Sequence, residues 1–283
     1  MNASGPAAEQ LARVDDVDDI AALLDDIYEY HGYDFRDYSL ASVRRRLIQF
    51  LEAEDLTDMA ALRRKVIRDR ECMSRLLTGL SVSVTAMFRD PGFYLAFRST
   101  VVPLLRTYPY LRIWHAGCST GQEVYSLAIV LKETGLYDRC RIYATDINEA
   151  ALAKAKQGAF PLAAMKEYTS NYLAAGGARP FSEYYETGAG TAVFDPGLRA
   201  NVTFAQHNLA SDGPFNEFHV VLCRNVMIYF NRALQLRVHE LITNSLVLLG
   251  FVGLGSKESL AHTPYESRFK QLDSRERLYR KVR

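Results

Sequence analysis

Apolar residues recur three and four positions apart through the first eighty residues. Ile20, Leu23, Leu24 and Ile27 form one stripe, and Leu40, Val43, Leu47 and Leu51 a second, a spacing that places each set on one face of an α-helix. Val66, Leu76, Leu77 and Leu80 extend the helical pattern to a break at Ser81–Thr85. Residues 10–90 are therefore expected to form a small all-helical domain. After Tyr108-Pro109 the period changes. The buried-strand run Leu111–Ala116 enters Gly117-Cys118-Ser119-Thr120-Gly121, and Glu123–Glu133 then carries Val124, Leu127, Ala128 and Leu131 on one helical face. Arg141–Asp146 reads as a second strand, followed by an alanine-rich helix over Asn148–Lys156. Further strands are expected at Val202–Ala205, His219–Cys223 and Phe251–Gly255, with a helix over Arg232–Leu249 before the last. Strands alternating with helices predict an α/β domain over residues 91–283 with a doubly wound, parallel sheet. One stretch breaks the alternation. Gly176-Gly177, Gly188-Ala189-Gly190 and Asp195-Pro196-Gly197 punctuate the runs Phe181–Thr187 and Thr191–Phe194, which predicts a small antiparallel β insertion at about 179–204.

Composition narrows the class. The 283 residues are 48% hydrophobic and 24% charged, and the formal net charge is +1. That balance argues against a non-specific polyanion binder, so no nucleic-acid partner is expected. The first nineteen residues hold neither a basic nor an apolar leader pattern, so no secretory signal is expected. Leu246–Leu254, the most apolar stretch, holds two glycines and falls far short of the roughly 20 residues of a membrane helix. Cys72, Cys118, Cys140 and Cys223 are scattered without metal-ligand spacing, which fits a reducing cytoplasm and a metal-free protein. Charge is uneven within the helical part, acidic from Glu9 to Asp37 and basic from Arg44 to Arg75.

Four motifs carry candidate chemistry. A glycine-rich turn after the first strand allows close approach of a ligand to the backbone, and the next helix offers its positive N-terminus. The G-x-x-x-G spacing is neither the dinucleotide fingerprint nor a P-loop; it suits a nucleoside with an amino-acid tail. Glu123, in the first helical turn, would reach a cationic or hydroxyl group of such a ligand. Equally, the turn is a tight connection capped by Ser119 or Thr120. Asp146 ends the second strand, 25 positions after Gly121, where an acid can accept from both ribose hydroxyls; the plainer reading is a cap on the helix that follows. Arg224, Asn225 and Tyr229 leave the strand that ends at Cys223, where a buried structural ion pair and a core aromatic compete with ligand binding. Arg89, between Phe88 and Asp90-Pro91, is either a helix-end surface charge or a clamp for a substrate carboxylate.

Taken in order, Thr85-Ala86-Met87-Phe88-Arg89, Gly117-Cys118-Ser119-Thr120-Gly121-Gln122-Glu123, Ala144-Thr145-Asp146-Ile147 and Cys223-Arg224-Asn225-Val226-Met227-Ile228-Tyr229-Phe230 resemble the chemotaxis receptor methyltransferase (CheR) family over nearly the whole chain. The resemblance implies a Rossmann-like methyltransferase domain behind the helical one. It implies a protein-glutamate O-methyltransferase that uses S-adenosylmethionine, yields S-adenosylhomocysteine and esterifies chemoreceptor glutamates during adaptation. By position, Ser83, Thr85, Arg89, Gly117, Glu123, Asp146, Ile147, Asn208, Leu209, Cys223 and Arg224 would line the cofactor site, with Arg89 and Tyr229 as the catalytic pair. The β insertion would correspond to the subdomain that docks a receptor C-terminal peptide in some members. Departures are Gln122, Glu123 and Val124 where two acids and a proline are common, Met87 for phenylalanine, Ser83 for asparagine and Asn148 for aspartate. None removes a group that the chemistry needs.

Arg44, Arg45 and Arg46 are expected on the solvent side of the Leu40/Val43/Leu47/Leu51 stripe, where they would dock an acidic receptor helix. A solvated helix face is the alternative. A cytoplasmic monomer, not embedded in the membrane, is expected. Two other classes compete. A methyltransferase of nucleic acids or small molecules is disfavoured by the absence of Asn/Asp-Pro-Pro-Tyr and Pro-Cys runs. A non-catalytic module that binds S-adenosylmethionine is disfavoured by Arg89 and Tyr229.

Overall fold

A computed structural model describes residues 17–81 and 85–283. The chain divides into two compact units, one of residues up to Val82 together with Tyr229–Gln235, the other of Ser83–Ile228 and Leu236–Arg283.

The first unit is helical: α1 (Val17–His31), α2 (Leu40–Ala53), α3 (Met59–Arg68) and α4 (Arg70–Leu80). α1 buries Ile20, Leu23, Leu24 and Ile27, the stripe that the spacing marks, and packs on α3, while α2 packs on α4. Side-chain caps start α3 and α4. Asp58 accepts from Ala61 N–H at 2.7 Å, and Asp69 accepts from Glu71 and Cys72 N–H at 2.8 and 3.0 Å, satisfying amides that a helix start leaves open. In α2 the buried set is Val43, Arg46, Leu47, Phe50 and Leu51; Leu40 is exposed because it opens the helix, outside the packed stretch.

The second unit is built on a seven-stranded sheet in the order β6-β2-β1-β7-β8-β10-β9. Its strands are β1 (Leu111–Ala116), β2 (Cys140–Asp146), β6 (Val202–Gln206), β7 (Phe218–Cys223), β8 (Leu246–Leu254), β9 (Phe269–Asp273) and β10 (Leu278–Lys281). The first five are mutually parallel where they pair, but β10 runs antiparallel to both β8 and β9. The wholly parallel expectation is thus corrected: the last two strands form a hairpin that returns along the β8 edge. The helices introduced after α4 are α5 (Pro91–Ala96), α6 (Val102–Leu105), α7 (Gln122–Glu133), α8 (Glu149–Gln157), α9 (Met165–Ala174) and α10 (Arg232–Ser245).

α7 is buried from Val124 to Leu131, more than the single apolar face the spacing suggests. The reason is a second sheet, β3-β5-β4 (Ala159–Pro161, Thr191–Phe194 and Tyr185–Gly188). Its Phe160 and Phe194 pack edge-on or tilted against Tyr125 of α7, with centroids 5.5 and 5.8 Å apart. The hairpin β4–β5 is the expected insertion; β3 joins it from before α9.

α10 also departs from expectation. It ends at Ser245, not Leu249, and Leu246 already pairs with Phe218 of β7. A continuous apolar run is ambiguous between helix and strand by period alone. Here Lys281 of β10 donates to Thr243 and Leu246 carbonyls at 2.8 and 2.7 Å, occupying acceptors that a helix end leaves open. Among the described residues no helix is long and apolar enough to cross a membrane, and no group of three or more His, Cys, Asp or Glu side chains could hold a metal ion.

Candidate active site

β2, β1 and β7 lie side by side and bring their carboxyl ends to one edge. The chain leaves β1 toward β2 on one flank and later enters β7 on the other, which makes the crevice between β1 and β7 the switch point where open α/β sheets bind ligands. The turn after β1 is built from left-handed backbone: φ is 77° at Gly117, 50° at Ser119 and 95° at Gly121. Two of its positions exclude a side chain on space as well. A Cβ on Gly117 would lie 2.6 Å from Val226 Cγ2, and one on Gly121 would lie 2.9 Å from Ala155 Cβ. Gly117 and Cys118 N–H both donate to the Thr145 carbonyl at 2.8 Å, so the turn hangs from the end of β2.

Asp146 completes this tie. Its Oδ2 accepts from Ser119 N–H at 2.7 Å and its Oδ1 from Asn148 N–H at 2.9 Å. The cap on α8 is Asn148, which accepts from Ala150 and Ala151 N–H at 2.9 and 3.1 Å; Asp146 is not the cap. Burial pushes the Asp146 carboxyl up, partly offset by the amides. Nor do Ser119 and Thr120 cap α7. Gly121 holds the cap position without a side-chain bond, and Thr120 Oγ1 donates instead to Gln122 Oε1 at 2.7 Å.

Between β1 and β7 lies a charge network. Arg224 Nη1 donates to Glu123 Oε2 at 2.7 Å and Nη2 to Asp90 Oδ2 at 3.0 Å, with the Arg224 side chain only 2% exposed. Its guanidinium carbon lies 4.0 Å from the Phe93 ring centroid. The other Glu123 oxygen faces His115 Nδ1 at 3.3 Å. Burial pushes the Glu123 carboxyl up, but Arg224 and His115 outweigh it and hold it below the usual carboxylate range. Arg224 is thus the buried ion-pair partner that the sequence left as the plainer alternative, and it fixes Glu123 at the mouth of the turn.

The same guanidinium reaches the Arg89 carbonyl at 3.5 Å. Arg89 is half-buried between two left-handed residues, Phe88 (φ 51°) and Asp90 (φ 56°). Phe88 N–H donates to Ser126 Oγ of α7 at 2.8 Å, so this elbow is tied to the site from both sides. Thr85 opens it, half-buried; Ser83 lies outside the described residues. Beyond β2, Gln206 Nε2 donates to the Ile147 carbonyl at 3.1 Å and His207 N–H to the Asp146 carbonyl at 3.2 Å. These bonds tie the segment leading into Asn208 and Leu209 to the end of β2. Cys223 is fully buried, and burial pushes its thiol and that of Cys118 well above the ordinary range. Neither is a nucleophile at neutral pH.

Tyr229 belongs to the helical unit. Its carbonyl accepts from Ser39 N–H at 2.8 Å, and the guanidinium carbon of Arg46 lies 4.7 Å from its ring centroid. This corrects the solvent-facing placement of Arg46. Its Nη1 donates to the Leu80 carbonyl and its residue is 6% exposed. Arg46 lies three positions from Val43 and one from Leu47, on the packed arc of α2; Arg45 is exposed and Arg44 half-buried. Two residues went unread in the sequence. His115 is an interior strand position with no local signal. Glu258, just past β8, accepts four backbone amides (Gly255, Asn225, Val226 and Met227); an acid three residues after the glycine that follows a strand was its one available cue.

Residues 83–277 match the family model described as CheR methyltransferase, SAM binding domain, and residues 18–81 that of the CheR methyltransferase all-alpha domain. The chain belongs to the CheR methyltransferase family. Cher3 of Pseudomonas putida is 49% identical over 263 residues, 93% of this chain and 96% of that one. Chemotaxis protein methyltransferase 2 of Pseudomonas aeruginosa is 29% identical over 252 residues, 88% of this chain and 89% of its own. Among solved structures, the StiE O-MT domain aligns with a TM-score of 0.35 and 13% identity over 67% of this chain and 50% of that one, too slight a likeness to add to the argument.

This CheR-family chain is accordingly an S-adenosylmethionine-dependent methyltransferase, and its crevice holds polar groups with unused hydrogen-bonding capacity. The Asp146 carboxylate accepts the Ser119, Asn148 and Ile147 amides, and with about four lone-pair sites it retains acceptor capacity for a hydroxyl. Ser119 Oγ and His115 Nε2 are buried without hydrogen-bond partners.

Proposed function

We propose that this protein transfers a methyl group from S-adenosylmethionine to glutamate side-chain carboxylates of chemoreceptors, giving methyl esters and S-adenosylhomocysteine in chemosensory adaptation. The carrying observation is the crevice at the ends of β2, β1 and β7 within a chain of this family: a left-handed glycine turn, an acid tied to it at the ribose position, and Glu123 held by a buried arginine.

Bound there, the cofactor supplies an electrophilic sulfonium methyl. A glutamate carboxylate is ionised at neutral pH, its reference pKa being about 4.3, so no strong general base is needed. The requirement is in-line placement and removal of water from the attacking oxygen. In this reading Asp146, Ile147, Asn208 and Leu209 hold the nucleoside, Glu123 faces the amino-acid tail, and Thr85, Gly117, Cys223 and Arg224 shape the wall. Arg89 orients the substrate carboxylate, and the Tyr229 hydroxyl donates to one of its oxygens. Each transfer removes one negative charge from an acidic receptor helix. Exposed Arg45, with half-buried Arg44 beside it, is the basic contact for such a helix on α2, and the β3-β5-β4 sheet is the place for a receptor C-terminal peptide. Work on receptors of this kind puts the protein on the cytoplasmic side.

The test is to incubate the protein with methyl-labelled S-adenosylmethionine and membranes of its host, then treat the labelled protein with mild base. Label released as methanol identifies a carboxyl methyl ester. Base-stable label points to another acceptor atom. Cofactor binding without any transfer selects a non-catalytic binding module.

A further inference from the structure

Glu258 is 5% exposed, and its hydrogen bonds are an unusual set for a carboxylate. Oε2 accepts from Gly255 N–H at 2.6 Å and Asn225 N–H at 3.0 Å; Oε1 accepts from Met227 N–H at 2.7 Å and Val226 N–H at 2.9 Å. Three of these amides are consecutive and belong to the loop that leaves β7. Successive amides turned toward one point make an anion-binding concavity, and here the anion comes from the chain itself. The loop turns sharply there: Asn225 sits at φ 60°, a left-handed conformation that asparagine adopts more readily than other residues with a side chain. Gly255 is packed just as closely: a Cβ there would lie 2.7 Å from both Asn225 N and Glu258 Oε2.

What the clamp holds bears on the site. Val226 rests against Gly117, the first residue of the turn after β1. Met227 opens the single turn that ends at Tyr229. Cys223 and Arg224 come before the clamp, and Cys223 is set instead by pairing with Leu254 of β8. We propose that Glu258 is a positioning residue for methyl transfer: its carboxylate fixes Asn225–Met227, and thereby seats Val226 on the cofactor turn and sets where the chain departs toward Tyr229. This rests on the reading of the crevice and Tyr229 given above.

Glu258→Gln is the informative variant. Each oxygen accepts two amides, so either orientation of the glutamine turns an NH2 group toward two N–H donors. Amide exchange followed residue by residue on the full chain should quicken by about 10-fold or more at Asn225, Val226 and Met227. Exchange in β7 should stay as it was. kcat should fall by about 10-fold while the Kd for S-adenosylmethionine, from calorimetry, moves less than about threefold. Unchanged exchange overturns the proposal, and so does faster exchange with kcat within about twofold of the parent. If the parent shows no carboxyl methylation, the functional reading fails separately, and exchange alone then decides the clamp. If the variant does not fold, the parent still tests it. Amides 225–227 and 255 protected as well as Val220–Cys223 uphold the clamp, and exchange at the rate of an exposed loop overturns it.

Discussion

Arg224 and Arg46 are the two buried arginines among the described residues, one in each unit, and each lies over an aromatic ring. Their partners differ. Arg224 meets two carboxylates, Glu123 and Asp90, and despite burial these neighbours raise its pKa above the ordinary guanidinium value. Arg46 meets the Leu80 carbonyl and the Tyr229 ring, with its Nη2 buried and without a hydrogen bond, and burial lowers its pKa. A buried charge balanced by carboxylates becomes a structural node whose removal strands its partners; one balanced by a carbonyl and a ring has no charged partner to strand. The first arrangement organises a site, and the second supports one tyrosine.

The largest effect should come from Arg224→Ala. With Glu123 left uncompensated beside His115, unfolding in urea should show a loss of about 3 kcal/mol. A loss below about 1 kcal/mol would mean that Glu123 does not depend on Arg224.

On the Tyr229 side, chemistry should suffer before stability. Tyr229→Phe should slow turnover by about 10- to 100-fold, equivalent to roughly 1–3 kcal/mol for one hydrogen bond to a charged group. Near-normal turnover would remove the hydroxyl from the mechanism. Arg89→Ala should cost more turnover than Tyr229→Phe, since charge and geometry go together.

Arg46→Leu should cost only about 1 kcal/mol of stability, because it strands a carbonyl but no carboxylate. Its coupling to Tyr229 in a double-mutant cycle should be about 0.5–1 kcal/mol, the scale of a cation over a ring. A loss matching that of Arg224→Ala would erase the distinction between the two arginines.

The smallest effect concerns a surface counterpart. Glu54, bonded to Arg75 and Lys65, is held at about 2 instead of 4.5, chiefly by those two hydrogen bonds. Its folded-state pKa lies below the unfolded one, so the stabilisation is present above pH 4.5 and disappears as pH falls toward 2. Glu54→Gln should flatten the stability-versus-pH curve in that window and lower the neutral-pH midpoint slightly, as expected for an exposed ion pair. An unaltered acid slope would rule Glu54 out as its source.

Much of this was legible because it is local. Helical spacing marked Ile20 to Ile27, and glycines at 117 and 121 marked a turn that backbone angles now require. Asp146 stood at a strand end, where its position alone suggested a role. Legibility failed where distant chain segments competed for a residue. Leu246–Leu249 continues α10 by hydrophobicity alone, yet pairing of Leu246 with Phe218 draws that run into the sheet. Arg46 reads as one of three like charges, yet the packed arc of α2 takes it inward. Glu258 carries no motif, since backbone amides are its partners and every residue but proline has one.

By itself, then, the amino-acid order determined the helical stripes of the first unit, the alternation from β1 through α10, the glycine turn and the acid at the end of β2. Each follows from periods and turn geometries that act over a few neighbouring residues. Only the tertiary structure decided that Arg224 joins Glu123 and Asp90, 101 and 134 positions away, that Arg46 lies under Tyr229, and that Glu258 gathers four amides. Burial is what settles such pairings: a charge or amide removed from water must find a partner wherever the fold brings one.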